Sequence, residues 1–229
     1  MALLETLQDN FDDNSRDTAK WNQYGTTTVP SETNQQLEIT TSTTLGYGGY
    51  TSVNTLDFTN SYVVAELVNA GNQSLTSLEV FPVQVYKDAD NVLFWYVSGG
   101  ILVAYQQVAN VNTQLATTTY NSTTHRWLRI RESGGRVYFD YASDGGAWIT
   151  LTSLLNPWTP ITAVTAELSC GTFNNEASAT TVIFDNFNIF SSVSTDNGLN
   201  PRMTTKQFST GLTTRIASIK LKHKTLRLR

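Results

Sequence analysis

The chain is built from short runs in which apolar and polar residues alternate. A two-residue period is that of a β-strand, because successive side chains point to opposite faces. Turn-forming Gly, Asn, Asp and Pro residues separate the runs. Only ALLETLQ near the start has a weak helical pattern. The strand pattern occurs in eleven segments, at residues 36–41, 50–56, 61–70, 77–87, 91–97, 100–108, 126–132, 136–142, 147–153, 162–171 and 179–190.

Many short strands with hairpin-length turns and no helices between them predict an all-β fold. Eleven strands are too many for a seven-stranded immunoglobulin domain. We therefore expect an antiparallel two-sheet sandwich of the jelly-roll type, with enough apolar residues (40%) to fill a large core. The predicted domains are a sandwich at residues 1–190 and an extended basic arm at residues 191–229.

The segment RWLRIRESGGRVYFDYASDGGAWITL, at residues 126–151, concentrates charge in a chain that has only 15% charged residues. These charges could form a reactive cluster or the polar face of a three-stranded meander. Alternation places Leu128 and Ile130 on the core side, and Arg129, Arg131 and Asp140 on the other. The sequence favours the structural interpretation, in which opposite charges pair across an exposed sheet face.

The net charge of −4 hides an uneven distribution along the chain. Residues 1–190 contain 7 Lys and Arg against 18 Asp and Glu, whereas residues 191–229 contain 8 against 1. The end of the basic arm alternates apolar and cationic side chains, which predicts a strand that must add to a sheet edge or a partner chain. The residues expected to dock are Arg215, Ile219, Lys220, Leu221, Lys222, Lys224, Leu226, Arg227, Leu228 and Arg229.

A cationic arm could instead bind DNA phosphates or an acidic protein surface. The apolar residues on its second face favour docking to a protein, so nucleic acid is not an expected partner. The start of the chain contains no signal-peptide pattern, and no run has the length of a membrane span, so we expect a soluble protein without membrane insertion.

Cofactor chemistry has little support in the sequence. The only cysteine, Cys170, lies in an apolar run and is expected to be buried and inert, and His125 at a strand start is expected to be solvated. No cofactor is expected. The alternative is calcium held by Asp12, Asp13 and Asp185, if the first and last strands lie side by side.

Four segments, FDDNSRDTAKWNQYG, NQQLEITTSTTLGYGGYTS, HRWLRIRESGGRVYFDYASDGGAWITL and VIFDNFNIF, carry a family resemblance. They resemble the concanavalin A-like lectin/glucanase (laminin-G-like) jelly-roll modules, in the version found in minor tail and other virion proteins of tailed bacteriophages. The resemblance spans about residues 8–190 and is most specific from His125 to Trp148. It implies two facing antiparallel sheets, and it implies function only loosely, since this superfamily contains lectins, glycosidases and structural domains.

Hydrolytic members of the superfamily carry a Glu-x-Asp-x-(x)-Glu strand with two carboxylates on one face. None of Glu66, Glu79, Glu132 and Glu167 is followed by a second acid two residues later. The sequence therefore predicts that the chain is not an enzyme.

Glycan binding is expected from aromatic rings, which stack on the C–H faces of sugars. The alternative for each ring is a place in the core. The candidate rings belong to Tyr47, Tyr50, Trp95, Tyr105 and Trp158.

Together these features predict a non-enzymatic structural protein on the surface of the phage particle, such as a capsid decoration protein or a tail-fibre subunit. Its lectin-like domain would bind a host-surface glycan, its arm would bind other virion proteins, and it would form homo-oligomers. The alternatives are a glycan-degrading virion enzyme and a purely structural cement protein without a ligand.

Overall fold

The computed structural model describes residues 1–190, and within that range it confirms an all-β, antiparallel two-sheet jelly-roll sandwich. One short 3₁₀ helix, Leu4–Thr6, precedes the strands, where the sequence had predicted a weak helix. The strands are β1 (Trp21–Tyr24), β2 (Val29–Thr33), β3 (Gln36–Thr40), β4 (Gly46–Ser52), β5 (Tyr62–Asn69), β6 (Leu78–Asp88), β7 (Asn91–Ser98), β8 (Ile101–Val108), β9 (Val111–Thr119), β10 (Trp127–Ser133), β11 (Arg136–Ala142), β12 (Ile149–Leu155), β13 (Thr165–Thr172) and β14 (Thr181–Asp185).

The fourteen strands of the described range form two seven-stranded sheets. The front sheet has the order β1-β4-β13-β6-β7-β8-β9, and the back sheet has the order β12-β11-β10-β5-β14-β3-β2. Every pairing between these strands is antiparallel. Strand β6 lies at the centre of the front sheet, next to β13, although 76 residues separate the end of one from the start of the other.

The core lies between the sheets and is filled by one side of each alternating strand. Trp95 on β7 joins the two layers, since its indole Nε1 donates a hydrogen bond of 3.0 Å to the carbonyl oxygen of Arg129 on β10. Its ring also meets Phe139 of β11 edge to face, with 5.3 Å between the centroids. Cys170 is buried in the same core, which raises the pKa of its thiol, as expected of an inert cysteine.

Strand β6 contains one more residue than its neighbours over its central part. Gln84 pairs with Glu167 on β13, and Phe81 pairs with Ser169. A step of three residues along β6 therefore matches a step of two residues along β13. Pro82 lies within this bulge, where regular backbone hydrogen bonding between strands is already interrupted and the missing N–H of proline is tolerated. As a consequence, alternation along β6 changes phase between Phe81 and Gln84.

All eleven predicted segments contain a strand, and the structure adds β1, β2 and β9. The alternation pattern does not predict these three strands because WNQY, VPSET and VNTQLATTT are mostly polar, and the last two also contain Pro or a run of Thr. Several boundaries also differ by more than one residue. Strand β4 begins at Gly46 rather than residue 50, and β14 ends at Asp185 rather than residue 190.

The charged meander is structural, but Asp140 is not on an exposed face as the sequence predicted. Its side chain is only 1% exposed, and it accepts hydrogen bonds from Arg129 (2.8 Å) and Arg131 (2.7 Å). The guanidinium groups in turn lie 4.0 Å from the Trp148 ring and 3.8 Å from the Tyr138 ring. The aromatic rings and the stems of the arginines cover the carboxylate, which alternation alone does not reveal.

Glu32 on the edge strand β2 is a buried carboxyl group, with only 7% of the residue exposed. Neither carboxylate oxygen has a hydrogen-bond partner among the described residues. Burial, followed by the nearby charge of Asp9, raises the pKa of Glu32 to about 7. The folded protein therefore holds this proton more tightly than the unfolded chain does, and stability falls as the pH rises through 7.

We predict that Glu32→Gln stabilises the protein at about pH 8 by up to about 3 kcal/mol, because it removes a charge that burial and the nearby Asp9 disfavour. The gain falls to about 1 kcal/mol at about pH 5, where folded wild type already carries the proton. Urea unfolding at both pH values measures the difference. Asp90→Asn, at an exposed turn position, is the control and should leave stability unchanged at either pH. An equal effect of Glu32→Gln at both pH values would contradict the assignment.

Candidate functional site

A groove of about 530 Å³ runs over the outer face of the front sheet. Strands β1, β4, β13, β6, β7 and β8 form most of its floor. Its lining is aromatic and polar, and consists of Tyr24, Tyr47, Glu79, Phe81, Gln84, Tyr86, Ala89, Val92, Phe94, Tyr96, Tyr105, Gln107, Asn112, Glu167 and Ser169.

Strand β6 contributes four of these side chains. Glu79 and Phe81 are two residues apart and share the outer face, as alternation requires. The extra residue of the bulge then brings Gln84 and Tyr86 to the same face, although Gln84 is three residues beyond Phe81. Without the bulge, Gln84 would point into the core.

Five aromatic rings form a connected surface within the groove, with Phe81 near its centre. The Phe81 centroid lies 6.4 Å from Tyr47, 5.8 Å from Phe94 and 5.4 Å from Tyr96. Phe94 and Tyr105 stack almost parallel at 5.2 Å. Most of these residues are only half-buried, so ring surface remains available to a ligand.

Glu79 is held by two tyrosine hydroxyls. Tyr47 donates to its Oε2, and Tyr96 donates to its Oε1 at 3.0 Å. Burial and the neighbouring carboxylate raise the pKa of Tyr96 to about 12, so this hydroxyl keeps its proton and remains a donor. Gly171 of β13 is the residue that pairs with Glu79 of β6. It leaves room for the Tyr47 ring, because a Cβ atom at this position would lie 2.5 Å from Tyr47 Cδ1.

Glu167 on β13 has a second, separate set of partners. Tyr24 donates to its Oε1 at 2.7 Å, and Gln84 Nε2 donates to the same oxygen at 2.9 Å. The Tyr86 hydroxyl donates to Gln84 Oε1 at 3.0 Å, which fixes the orientation of the amide. Burial raises the pKa of Glu167 and outweighs the donors Tyr24, Ser169 and Gln84, each of which lowers it.

The two glutamates lie along one groove at positions that the strand register defines. Glu167 pairs with Gln84, and Glu79 pairs with Gly171, so the two positions are four residues apart along β13. At about 3.3 Å per residue this places their Cα atoms roughly 13 Å apart, with Phe81 between them. The lining within the described range includes no Lys, Arg or His, and the groove is therefore anionic.

The five aromatic residues proposed for glycan binding divide between the groove and the core. Tyr47 and Tyr105 line the groove, although glycan binding by them remains a prediction. For the other three the prediction is wrong on geometric grounds, since Tyr50 is 1% exposed, Trp95 0% and Trp158 3%. Tyr50 and Trp95 take the inward phase of their strands, and Trp158 is buried in the loop after β12, so these rings offer no face to a ligand.

Other predicted sites are placed differently. His125 is buried rather than solvated, and its Nδ1 accepts a 2.9 Å hydrogen bond from the backbone N–H of Asn121. Asp12, Asp13 and Asp185 do not form a metal site, because residues 1–190 contain no group of three or more His, Cys, Asp or Glu arranged to hold an ion.

The ten docking residues of the basic arm, from Arg215 to Arg229, lie outside the described residues. In the described range, none of the helical segments has the length and apolar character needed to cross a membrane.

By sequence, the chain matches no protein-family model and no curated protein. By structure, it is similar to the laminarinase from Flavobacterium sp. UMI-01, with a TM-score of 0.55 and 9% identity over 79% of this chain and 97% of the enzyme. It is also similar to an endo-acting O-glycanase of the human gut microbiota, with a TM-score of 0.59 and 7% identity over 80% of this chain and 98% of that one.

A third similar structure is the GH43B protein of the Bacteroides ovatus xyloglucan PUL, with a TM-score of 0.53 and 11% identity over 79% of this chain. This chain spans only 38% of the GH43B protein's length. At such identities the similarity establishes the fold alone, which is an antiparallel jelly-roll sandwich that the chain shares with these proteins.

This finding contradicts the expectation that the chain is not an enzyme. That expectation depended on finding no second acid two residues after any glutamate of a single strand. The described domain shares its jelly-roll fold with the Flavobacterium laminarinase, and its groove contains two glutamates from neighbouring strands. A search for paired acids within single strands therefore misses a pair of acids that comes from two neighbouring strands.

One sequence signal for the site was present and overlooked. Glu79, Phe81 and Gln84 have the spacing of the Glu-x-Asp-x-x-Glu strand, with Phe and Gln in place of the Asp and the second Glu. They lie on the outer face of the central strand of the front sheet, and Glu167 of the adjacent strand contacts Gln84. Glu167 itself carried no such signal, because it depends on a pairing between distant segments.

We predict that Tyr24→Phe raises the pKa of Glu167 further, because the lost O–H donor stabilises the ionised carboxylate. Carbon-13 NMR of the labelled glutamate carboxyl groups measures the titration directly. Tyr62→Phe, on the back sheet and outside the groove, is the matched control and should leave it unchanged. A Glu167 titration that does not respond to Tyr24→Phe would contradict the described hydrogen bond.

Proposed function

We propose that the chain binds a glycan along the groove and hydrolyses one of its glycosidic bonds. The observation that carries this proposal is the position of Glu167, a carboxyl group with a raised pKa, in the same aromatic groove as a second carboxylate, Glu79. The glycosidase fold of the domain supports the proposal. It replaces the expectation of a protein without enzymatic activity.

The binding part of the proposal depends on the connected rings of the groove. Faces of Phe81, Phe94 and Tyr105 offer flat apolar surface for the C–H groups of sugar rings. The side chains of Gln107 and Asn112 lie in the same lining and supply amide donors and acceptors for hydroxyl groups. A chain of sugars fits this combination better than a compact apolar ligand does.

The hydrolytic part requires one carboxyl group that donates a proton and one that is ionised. Glu167 suits the donor, because burial favours its neutral form and outweighs the hydrogen bonds from Tyr24 and Gln84 to its Oε1. Glu79, held by two hydroxyl donors, suits the carboxylate that faces the positive charge developing on the sugar ring.

We expect Glu167→Gln to lower the rate of glycan cleavage by at least about 10²-fold, because it removes the proton donor. Glu79→Gln should lower the rate comparably. Release of reducing ends from a panel of bacterial envelope polysaccharides and β-glucans measures cleavage, and affinity electrophoresis on the same panel measures binding. Glu38→Gln on the back sheet is the matched control, and should retain wild-type cleavage and binding.

The two measurements separate the parts of the proposal. Wild-type protein that binds a glycan but releases no reducing ends from any member of the panel would contradict hydrolysis and leave binding intact. Protein that binds nothing would contradict both. Cleavage that survives the Glu167→Gln substitution would show that the proton donor is a different group.

The particle surface of a bacteriophage is the place that we propose for this activity, with a host envelope polysaccharide as the substrate. Support comes from the segments that resemble phage virion modules and from the basic composition of residues 191–229. We propose that these C-terminal residues bind another virion protein. These assignments depend on sequence alone.

Deleting residues 191–229 should abolish incorporation of the protein into phage particles while leaving glycan binding unchanged, because the groove lies wholly within residues 1–190. Quantitative mass spectrometry of purified particles measures incorporation. Truncated protein present at full occupancy would contradict a docking role for the arm.

A further inference from the structure

The end of the groove around Glu79 has the composition of a cation-binding pocket. The Glu79 carboxylate is bracketed by the hydroxyls of Tyr47 and Tyr96, and the Phe81 ring lies 6.4 Å from the first ring and 5.4 Å from the second, centroid to centroid. We propose that this pocket binds the protonated amino group of an amino sugar, so that the groove selects glycans with free amino groups. This inference names the substrate class for the proposed function and depends on it.

Hydrogen-bond polarity is the first reason for this selection. Both tyrosine hydroxyls donate to Glu79, so what the pocket presents to a ligand is acceptor lone pairs. An ammonium group has three donors and no acceptor, and its hydrogen bonds to a carboxylate are charge-assisted. A sugar carboxylate or sulfate has only acceptors, so it would find no free donor in this pocket, and its negative charge would repel that of Glu79.

The second reason is the electrostatic character of the surrounding rings. The face of an aromatic ring carries partial negative charge and attracts a cation that lies within about 6 Å of its centroid. Tyr47 and Tyr96 contact the Glu79 carboxylate through their hydroxyls, and the Phe81 ring lies next to both tyrosine rings, so aromatic surface adjoins the position of a bound cation. In the described lining no cationic side chain competes for this position, since the charged members are Glu79 and Glu167.

The groove beyond the pocket favours a glycan over a lysine side chain of a protein partner. The Phe94–Tyr105 stack and the amides of Gln107 and Asn112 extend the lining away from Glu79. A lysine side chain is a single flexible stem that would fill the Glu79 pocket alone. An amino sugar within a chain would occupy the pocket while its neighbours contact the other rings.

The test compares three forms of each of two polymers, a β-1,3-glucan and a β-1,4-glucan. The forms are the unmodified polymer, the polymer with amino groups at C6 and the polymer with carboxyl groups at C6. Binding is measured by calorimetry with the Glu167→Gln protein, so that cleavage does not interfere. We expect the aminated form to bind about tenfold more tightly than the unmodified form, which corresponds to about 1.4 kcal/mol, and the carboxylated form to bind more weakly than either. The preference should decrease with added salt.

Introducing Glu79→Gln into the same Glu167→Gln background should reduce the preference for the aminated form to about twofold or less, because the carboxylate that pairs with the ammonium is gone. Glu38→Gln in that background is the control, and should keep the full preference. Near-ultraviolet circular dichroism of each variant confirms that the aromatic packing is retained.

Each outcome bears on a different claim. Equal binding of the three forms, or tightest binding of the carboxylated form, would overturn the ammonium pocket while leaving glycan binding in place. No binding of any form of either polymer, in a protein that also binds none of the envelope polysaccharides, would contradict the proposed function and this inference together. Glu79-dependent binding of a lysine-rich peptide but of no aminated glycan would overturn the assignment to amino sugars.

Discussion

The single extra residue in β6 determines what the groove contains. Side chains of a regular strand change faces at every residue, so Glu79 and Gln84, five positions apart, would lie on opposite faces of an uninterrupted β6. The bulge at Pro82 and Val83 puts both on the outer face, next to Glu167 and Ser169 of β13. It also keeps Val80 and Val85 in the core, so the same irregularity serves packing and the site. Removing the extra residue would turn Gln84 inward and take from Glu167 its contact with the amide.

The two-sheet fold could be predicted from the sequence because each segment needs only its own alternation and its flanking turns. The phase of that alternation is harder to assign where a segment is apolar on both faces. NVLFWYV is such a segment, and no pattern within it indicates that Trp95 points inward while Phe94 and Tyr96 point outward. Tyr47 and Tyr50 differ in the same way, since only the first lines the groove.

The catalytic candidates could not be found by spacing within one strand, because they come from two strands. Gln84 and Glu167 are 83 residues apart in sequence and meet only because β13 pairs with β6. No local pattern specifies which of the strands become neighbours, since each presents a similar edge to its partner. The absence of the Glu-x-Asp-x-(x)-Glu motif from every single strand therefore does not exclude a pair of acids from two neighbouring strands. The expectation of a protein without enzymatic activity was wrong for this reason.

The two glutamates share a groove but have different chemical characters, and the difference has a local cause. Both carboxylates accept hydrogen bonds from neutral donors, yet burial dominates at Glu167 and raises its pKa. Glu79 instead accepts hydrogen bonds from Tyr47 and Tyr96, next to aromatic rings whose faces also favour positive charge. In the proposed reaction Glu167 donates the proton, and Glu79 attracts positive charge on the bound sugar. That polarity along the sheet would fix the direction in which an asymmetric glycan chain binds, because reversing the chain would move its amino group from Glu79 to the end occupied by Glu167.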